Sequence, residues 1–346
     1  MKLSVFLLIL IATGPWSFSQ TKLEYTIAPW QGNKKAAVSV SFDDCMPSQF
    51  ENAIPVLNAA NRKIPATFFL TAKSIAKNAQ SIINAHKNKH EIANHSTTHP
   101  SFRELSPTGI EAELLNCQDT IRNLFNGQVS FTMAYPNGNG GDSTPQDSLI
   151  RTIVSKYFIG ARATQIKPSA INEYIWAKPF VDDSYYLVNS PMIADGYTRK
   201  KFGKDLQKAI AKGGWYAPTY HGVGGGWIIT STDLFTSHMD ELQKRKDQLW
   251  IATFKDVIAY HRERNCSRLN VISESDERLH LELTDTLKND AIFNMPLTIR
   301  MKKTAGWAVR SISQSNTALK YRLENKTIQF DAIPDGGPII IRKKTI

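Results

Sequence analysis

The chain has 346 residues, 42% hydrophobic and 21% charged, a globular balance that excludes a disordered or fibrous polymer and leaves room for one large or two ordinary domains. The formal charge is +11, yet its carriers are spread. Residues 266–346 hold thirteen basic and nine acidic side chains, and 20–265 hold twenty-eight and twenty-two, so the clustering that a nucleic-acid partner requires is missing. A solvated basic surface follows, with acidic glycans or envelope surfaces as the partners it fits.

Lys2, an apolar run from Val5 to Ala12, Gly14-Pro15 and Ser17-Phe18-Ser19 compose a cleavable export signal over 1–19. No later stretch approaches the ~18 apolar residues of a membrane span, so the expected product is secreted or periplasmic, without a transmembrane segment. Beyond it, short apolar runs alternate with helix-like segments. Strands are predicted over 37–42, 66–70, 91–94, 129–134, 157–160, 215–220 and 249–254, and helices over 47–61, 72–88, 107–124, 145–156, 232–247 and 255–264. Such alternation argues for parallel strands with crossover helices, and its length fits a closed or nearly closed α/β barrel over 20–265. After Asn265 the pattern turns to period two, at 279–283, 297–301, 327–330 and 339–341. Residues 266–346 are therefore expected to form a small antiparallel, β-sandwich-like accessory domain.

Cys45, Cys117 and Cys266 are odd in number and contain no C-x-x-C pair, which implies neither a disulfide framework nor a structural zinc site.

The polar residues fall at strand ends. Ser41-Phe42-Asp43-Asp44 closes the first strand and His95-Ser96-Thr97-Thr98-His99-Pro100 follows the third. Ala134-Tyr135-Pro136-Asn137-Gly138 ends the fourth, and Tyr220-His221-Gly222 a late one. In an α/β barrel the carboxyl ends of all strands open on one face. Two adjacent Asp and three His delivered there point to a metal-assisted hydrolytic site. The i, i+4 spacing of His95 and His99 puts both rings on one side of a helical turn.

These motifs resemble those of the NodB-homology polysaccharide deacetylases, carbohydrate esterase family four, over about residues 30–264. Ser41 to Cys45 is similar to S/T-F-D-D-G, His95 to Pro100 to H-S/T-x-x-H-P, Ala134 to Gly138 to the loose third motif, and His221 to the terminal histidine. The resemblance implies a distorted (β/α) barrel with Asp44, His95 and His99 as ligands of one divalent transition metal, Zn2+ ahead of Co2+ or Ni2+. It further implies Asp43 as general base, His221 as general acid and the backbone N–H of Asn137 as an oxyanion donor.

The chain also departs from the pattern. Cys45 replaces the usual Gly, as an inert small residue or an oxidation-sensitive thiol. The family's third-motif Arg, which orients the base, matches Ala134, and Arg162 is the candidate replacement beside an ordinary ion pair. Asn172 stands where an Asp precedes Trp176, leaving Asp182 and Asp183 as candidates to tune the acid. Tyr135 either lines the cleft or packs in the core. Trp227, after Gly224-Gly225-Gly226, is placed to stack on a sugar, so Tyr135, Arg162 and Trp227 are the candidate substrate-binding residues.

The expected function is a secreted, metal-dependent hydrolase that removes N- or O-acetyl groups from a polysaccharide or oligosaccharide. The alternatives are a non-catalytic glycan-binding protein on the same barrel and a hydrolase of a non-acetyl amide.

Overall fold

The computed structural model describes residues 24–164, 171–172, 182–302 and 307–345. Residues 1–19, expected as an export signal, Trp176 and the side chains of Asp182 and Asp183 lie outside the described residues.

Seven parallel strands form the main sheet: β1 (Val40–Asp43), β2 (Ala66–Leu70), β3 (Glu91–Asn94), β4 (Thr132–Ala134), β5 (Gly160–Thr164), β6 (Val188–Ser190) and β7 (Thr219–Tyr220). Their order is β7-β1-β2-β3-β4-β5-β6. The ring is drawn nearly closed where the segment after β6 reaches β7, by Ile193 N–H to Thr219 O at 2.8 Å and Thr219 N–H to Pro191 O at 3.0 Å. β1 and β2 are buried along their whole length, so that even their polar members Ser41, Asp43 and Thr67 are enclosed.

Two predicted strands are each split in two. The first breaks at Ser39, between Ala36–Val38 and β1. Its hydroxyl donates to Thr253 O and accepts from the Trp215 indole. The second breaks at Ala217-Pro218, between Trp215–Tyr216 and β7, because proline brings no N–H to a ladder. The lower halves form a second sheet, in which Ala36–Val38 pairs with both Trp215–Tyr216 and Leu249–Ile251. β5 begins at Gly160, three residues later than expected, since Tyr157 and Phe158 donate back to Val154 and end a helix.

The helices wrap the outside: α1 (Ile54–Asn58), α2 (Ala72–Lys87), α3 (Pro107–Leu124), α4 (Pro145–Val154), α5 (Arg199–Lys212), α6 (Thr232–Lys244) and α7 (Phe254–Cys266). Five begin with a hydroxyl that accepts a backbone N–H of the first turn: Ser106, Thr144, Thr198, Ser231 and Thr253. Such caps satisfy donors that the helix itself cannot. Pro107 and Pro145 follow two of them, where the missing N–H costs nothing. The expected helix over 47–61 is instead a π turn, Gln49–Ala53, running into the short α1, with Pro55 unable to donate into an α register.

Beyond α7 two antiparallel sheets enclose one apolar core that includes Leu281, Ile299, Phe330 and Ile341. One contains Arg268–Glu274, Arg278–Thr284, Ile339–Thr345, Trp307–Gln314 and Thr317–Leu319. The other contains Leu297–Lys302, Thr327–Ala332 and Tyr321–Glu324, with Tyr25–Ile27 from the opposite end of the chain on its edge. The Tyr260 hydroxyl on α7 donates to Ala28 O and accepts from Thr298 N–H, fastening this region to the barrel.

Candidate active site

The carboxyl ends of β1, β3 and β7 bring Asp43, Asp44, His95, His99 and His221 together. Asp44 is the hub. Its Oδ1 lies 3.5 Å from His95 Nε2 and 3.6 Å from His99 Nε2, and its Oδ2 lies 3.7 Å from His221 Nε2. Asp44, His95 and His99 each offer one ligand atom, all within 4.8 Å of one another. A carboxylate and two imidazoles form the N/O donor set that a divalent transition metal takes.

The outer partners fit a metal as well. His95 Nδ1 is 2.9 Å from Ala134 O, so that nitrogen carries an N–H to the carbonyl and Nε2 is the one turned to Asp44. Burial pushes the Asp44 carboxyl up, but its hydrogen bond to His95 and the charges of His95, His221 and His99 outweigh this and hold it at about 2. The group is thus a carboxylate at any physiological pH. Burial and the charge of His95 lower the pKa of His99, against the pull of Asp44 and Asp43, which keeps its ring in the neutral, ligating form.

The backbone that presents these groups is unusual. Asp44, Cys45, Ser96, His99 and Asn137 all have positive φ, between 54° and 73°, a conformation that side chains other than Gly, Asn and Asp seldom adopt. The His95–His99 segment is therefore not the helical turn that its spacing invites. Instead two left-handed residues fold it back, so that the rings stand 4.8 Å apart, centroid to centroid. Glu113 on α3 accepts from the backbone N–H groups of Thr97 and Thr98 and from the Thr98 hydroxyl, which clamps the loop in this shape.

Cys45 takes the left-handed position at φ 61°, where the resembling motif has Gly. Its thiol is buried, and burial, against a hydrogen bond from Asn78, pushes it up to about 12. Of the two readings open for this residue, the inert one describes it, since a thiol reacts as thiolate.

Asp43 is 3% exposed. Its Oδ1 accepts from Arg162 Nη2, and its Oδ2 lies 4.0 Å from His221 Nε2. Arg162 enters from β5, 1% exposed, with its guanidinium 4.5 Å above the Phe69 ring and Nη2 also donating to Thr219 at 2.8 Å. It is thus buried against Asp43, away from solvent. Tyr135 is likewise 3% exposed, its hydroxyl donating to Tyr186 O at 3.1 Å. Of the two places open to it, the ring takes the core one.

Trp227 is 55% exposed, and its Nε1 donates to Asp44 Oδ2 at 3.1 Å. The loop that carries it turns back so tightly that a Cβ at Gly222 would stand 2.0 Å from Gly225 O. Asn137 is exposed at the end of β4, and its N–H bonds to no group among the described residues. Asn172 is buried, spending its amide on Asn189 and Trp215. Among the described residues His221 Nδ1 has no hydrogen-bond partner.

Gln49 supports the site and carries no sequence signal. From the π turn its Nε2 donates to the carbonyls of both Asp43 and His221, tying β1 to β7 beneath the two groups that face each other.

Residues 31–151 match the family model for polysaccharide deacetylases. The chain carries a polysaccharide deacetylase domain. Of curated proteins, it is similar to a gellan lyase from Bacillus sp, 23% identical over 338 residues, which cover 91% of this chain. It is also similar to a chitooligosaccharide deacetylase from Bradyrhizobium sp. (strain ANU 289), 30% identical over 107 residues, which cover 30% of this chain. This chain spans 13% of the first relative's length and 46% of the second's. A solved family 4 carbohydrate esterase from Streptomyces lividans aligns at 16% identity and a TM-score of 0.42, over 62% of this chain and 91% of that one.

Proposed function

We propose that this chain is a metal-dependent carbohydrate deacetylase that hydrolyses N- or O-acetyl groups and releases acetate. The observation that carries the reading is the approach of the Asp44–His95–His99 donor set to the buried, Arg-paired Asp43, with His221 facing both aspartates.

Asp44, His95 and His99 would hold one divalent transition metal, Zn2+ ahead of Co2+ or Ni2+. Such an ion supplies Lewis-acid polarisation of the acetyl carbonyl and an acidified water. Asp43 accepts the proton of the attacking water. Arg162 holds its carboxylate in one orientation. The N–H of Asn137 donates to the oxyanion of the tetrahedral adduct. His221 gives a proton to the departing nitrogen or oxygen of the sugar, which lets the carbon–heteroatom bond break without expelling a strong base. Trp227 offers an exposed ring face to the glycan, with its edge fixed on Asp44.

We further propose that residues 1–19 are an export signal and that the sugar meets the enzyme outside the cytoplasm. No helix among the described residues is long and apolar enough to cross a membrane. The division into a barrel over 20–265 and an accessory β-region over 266–346 is proposed on the change from parallel to antiparallel pairing at that point.

The test is acetate release from acetylated xylan, chitin oligomers and peptidoglycan, before and after treatment with a chelator and after metal is restored. Turnover on at least one substrate, lost with the chelator and regained with metal, is expected. Turnover indifferent to exhaustive chelation would reject metal dependence, and no acetate from any of them would reject the deacetylase reading.

A further inference from the structure

On the outer face of the barrel, a groove of about 500 Å³ runs between α5 and α6, lined by Arg199, Lys200, Gly203, Lys204, Glu241 and Arg245 among others. Its one acid is fully committed. Glu241 accepts from Arg199 Nε and Nη2 at one oxygen and from Arg245 at the other, and Lys244 lies 3.1 Å away. Burial raises this carboxyl, but the three cations outweigh it and hold it at about 2. Lys200 and Lys204, both exposed, make no ion pair or hydrogen bond among the described residues. They stand one helical turn apart, where like charges repel.

Gly203 sits between them, inside a helix, where glycine is unfavourable. A Cβ there would stand 3.4 Å from Glu241 Oε2 and 3.7 Å from Arg245 Nη2, so the missing side chain keeps the floor open. On that floor two guanidinium groups already close on one carboxylate, that of Glu241, the planar geometry that arginine matches best.

The groove is tied to the active-site rim. Asp195, just ahead of α5, donates its N–H to Ile229 O and accepts from Ser231 N–H, two groups in the segment that follows Trp227. From Ser231 to Glu241 is ten residues of helix, about 15 Å at 1.5 Å per residue.

We propose that the α5–α6 groove is a docking site for an anionic polysaccharide, holding its uronate carboxylates on Arg199, Lys200, Lys204 and Arg245 while the strand continues toward the rim. The polymer's being a glycan rests on the deacetylase reading; its charge rests on the groove. The substrate class is then a carboxylated, acetylated polysaccharide rather than a neutral one.

The experiment uses the full chain and fluorescein-labelled oligogalacturonate, read by anisotropy at low salt, with neutral dextran and a DNA oligonucleotide of matched charge as competitors. The variant Lys200→Glu/Lys204→Glu is set against Lys87→Glu/Lys320→Glu, which makes the same charge change at exposed lysines elsewhere. The groove variant is expected to weaken binding about tenfold or more, since each reversed charge loses an attraction and gains a repulsion. The control pair should stay within about twofold, and added salt should release the probe. Equal weakening in both variants, capture by dextran, or tighter binding of DNA than of galacturonate would overturn the proposal. Acetate release is measured separately. Its absence beside a groove-specific loss of binding would reject the deacetylase reading alone, and its presence with both variants binding alike would reject the groove alone.

Discussion

The indole N–H of Trp227 and the Oδ2 of Asp44 meet at 3.1 Å, so the most exposed aromatic ring beside the site is anchored to the carboxylate at its centre. Loop and ligand are thereby one unit. Outer partners of a ligating group commonly alter metal affinity by about 10–100-fold when removed. Trp227→Phe keeps a ring and removes only the donor, and is expected to loosen metal by about tenfold in competition with a chelator. Unchanged metal affinity would reduce Trp227 to a sugar platform.

Asp43 and His99 should separate cleanly. Asp43→Asn keeps the donor set and is expected to retain metal while turnover falls by about 10²–10⁴, the usual worth of a positioned base. His99→Ala should lose metal and activity together. Elemental analysis beside acetate release reads both, and parallel loss of metal in Asp43→Asn would make Asp43 a ligand rather than a base.

Arg162→Met leaves a buried carboxylate without its partner. Breaking such a pair costs about 3–5 kcal/mol, which thermal or urea unfolding would register, and turnover should fall while metal content is kept. A variant as stable as the parent would mean that Asp43 is held by other groups.

His221→Ala is expected to damage amide substrates far more than activated aryl esters, because a good leaving group departs without a proton. Equal losses on both would assign His221 to substrate positioning.

Glu263 on α7 predicts a pH effect on stability. It is fully buried, with Oε2 accepting Met295 N–H at 2.7 Å and Oε1 without a partner among the described residues. Burial, only partly offset by that N–H, together with the charges of Asp285, Asp335 and Asp290 pushes the carboxyl from 4.5 up to about 8. Between those values the folded chain keeps a proton that the unfolded chain has released, so stability falls as pH rises through the window. Glu263→Gln mimics the protonated acid. It should match the parent in urea unfolding at pH 4 and exceed it at pH 8 by roughly 4 kcal/mol, at about 1.36 kcal/mol for each pH unit between the two values. Curves that stay parallel across that range would remove Glu263 as the cause.

What the sequence discloses about this molecule depends on how local each signal is. Asp43, Asp44, His95 and His99 sit in two short contiguous runs, and their convergence follows from the alternation of strand and helix. Arg162 is legible only as a candidate, because its pairing spans 119 residues. Gln49 is not legible at all, since a glutamine in a helix-like stretch carries no pattern. Helix α5 escapes because Phe202, Leu206 and Ala209 are a narrow buried stripe among lysines. In the C-terminal sheets, Arg268–Glu274 is mostly exposed, and Trp307–Gln314 shifts register between Val309 and Ser311, a bulge that breaks the two-residue period on which strand reading depends.

The strand Tyr25–Ile27, paired with Ile299–Met301, sets the order in which the molecule can be finished. It leaves the ribosome some 270 residues ahead of its partner, an interval of about 14–54 s at ~5–20 residues/s. Throughout that time its backbone donors and acceptors are an unpaired edge, open to a neighbouring nascent chain. The barrel between them can be complete while Tyr25–Ile27 still waits for its sheet. A truncation before residue 297 would leave that strand unpaired for good, which makes loss of the C-terminal region a hazard for solubility even where it spares the chemistry.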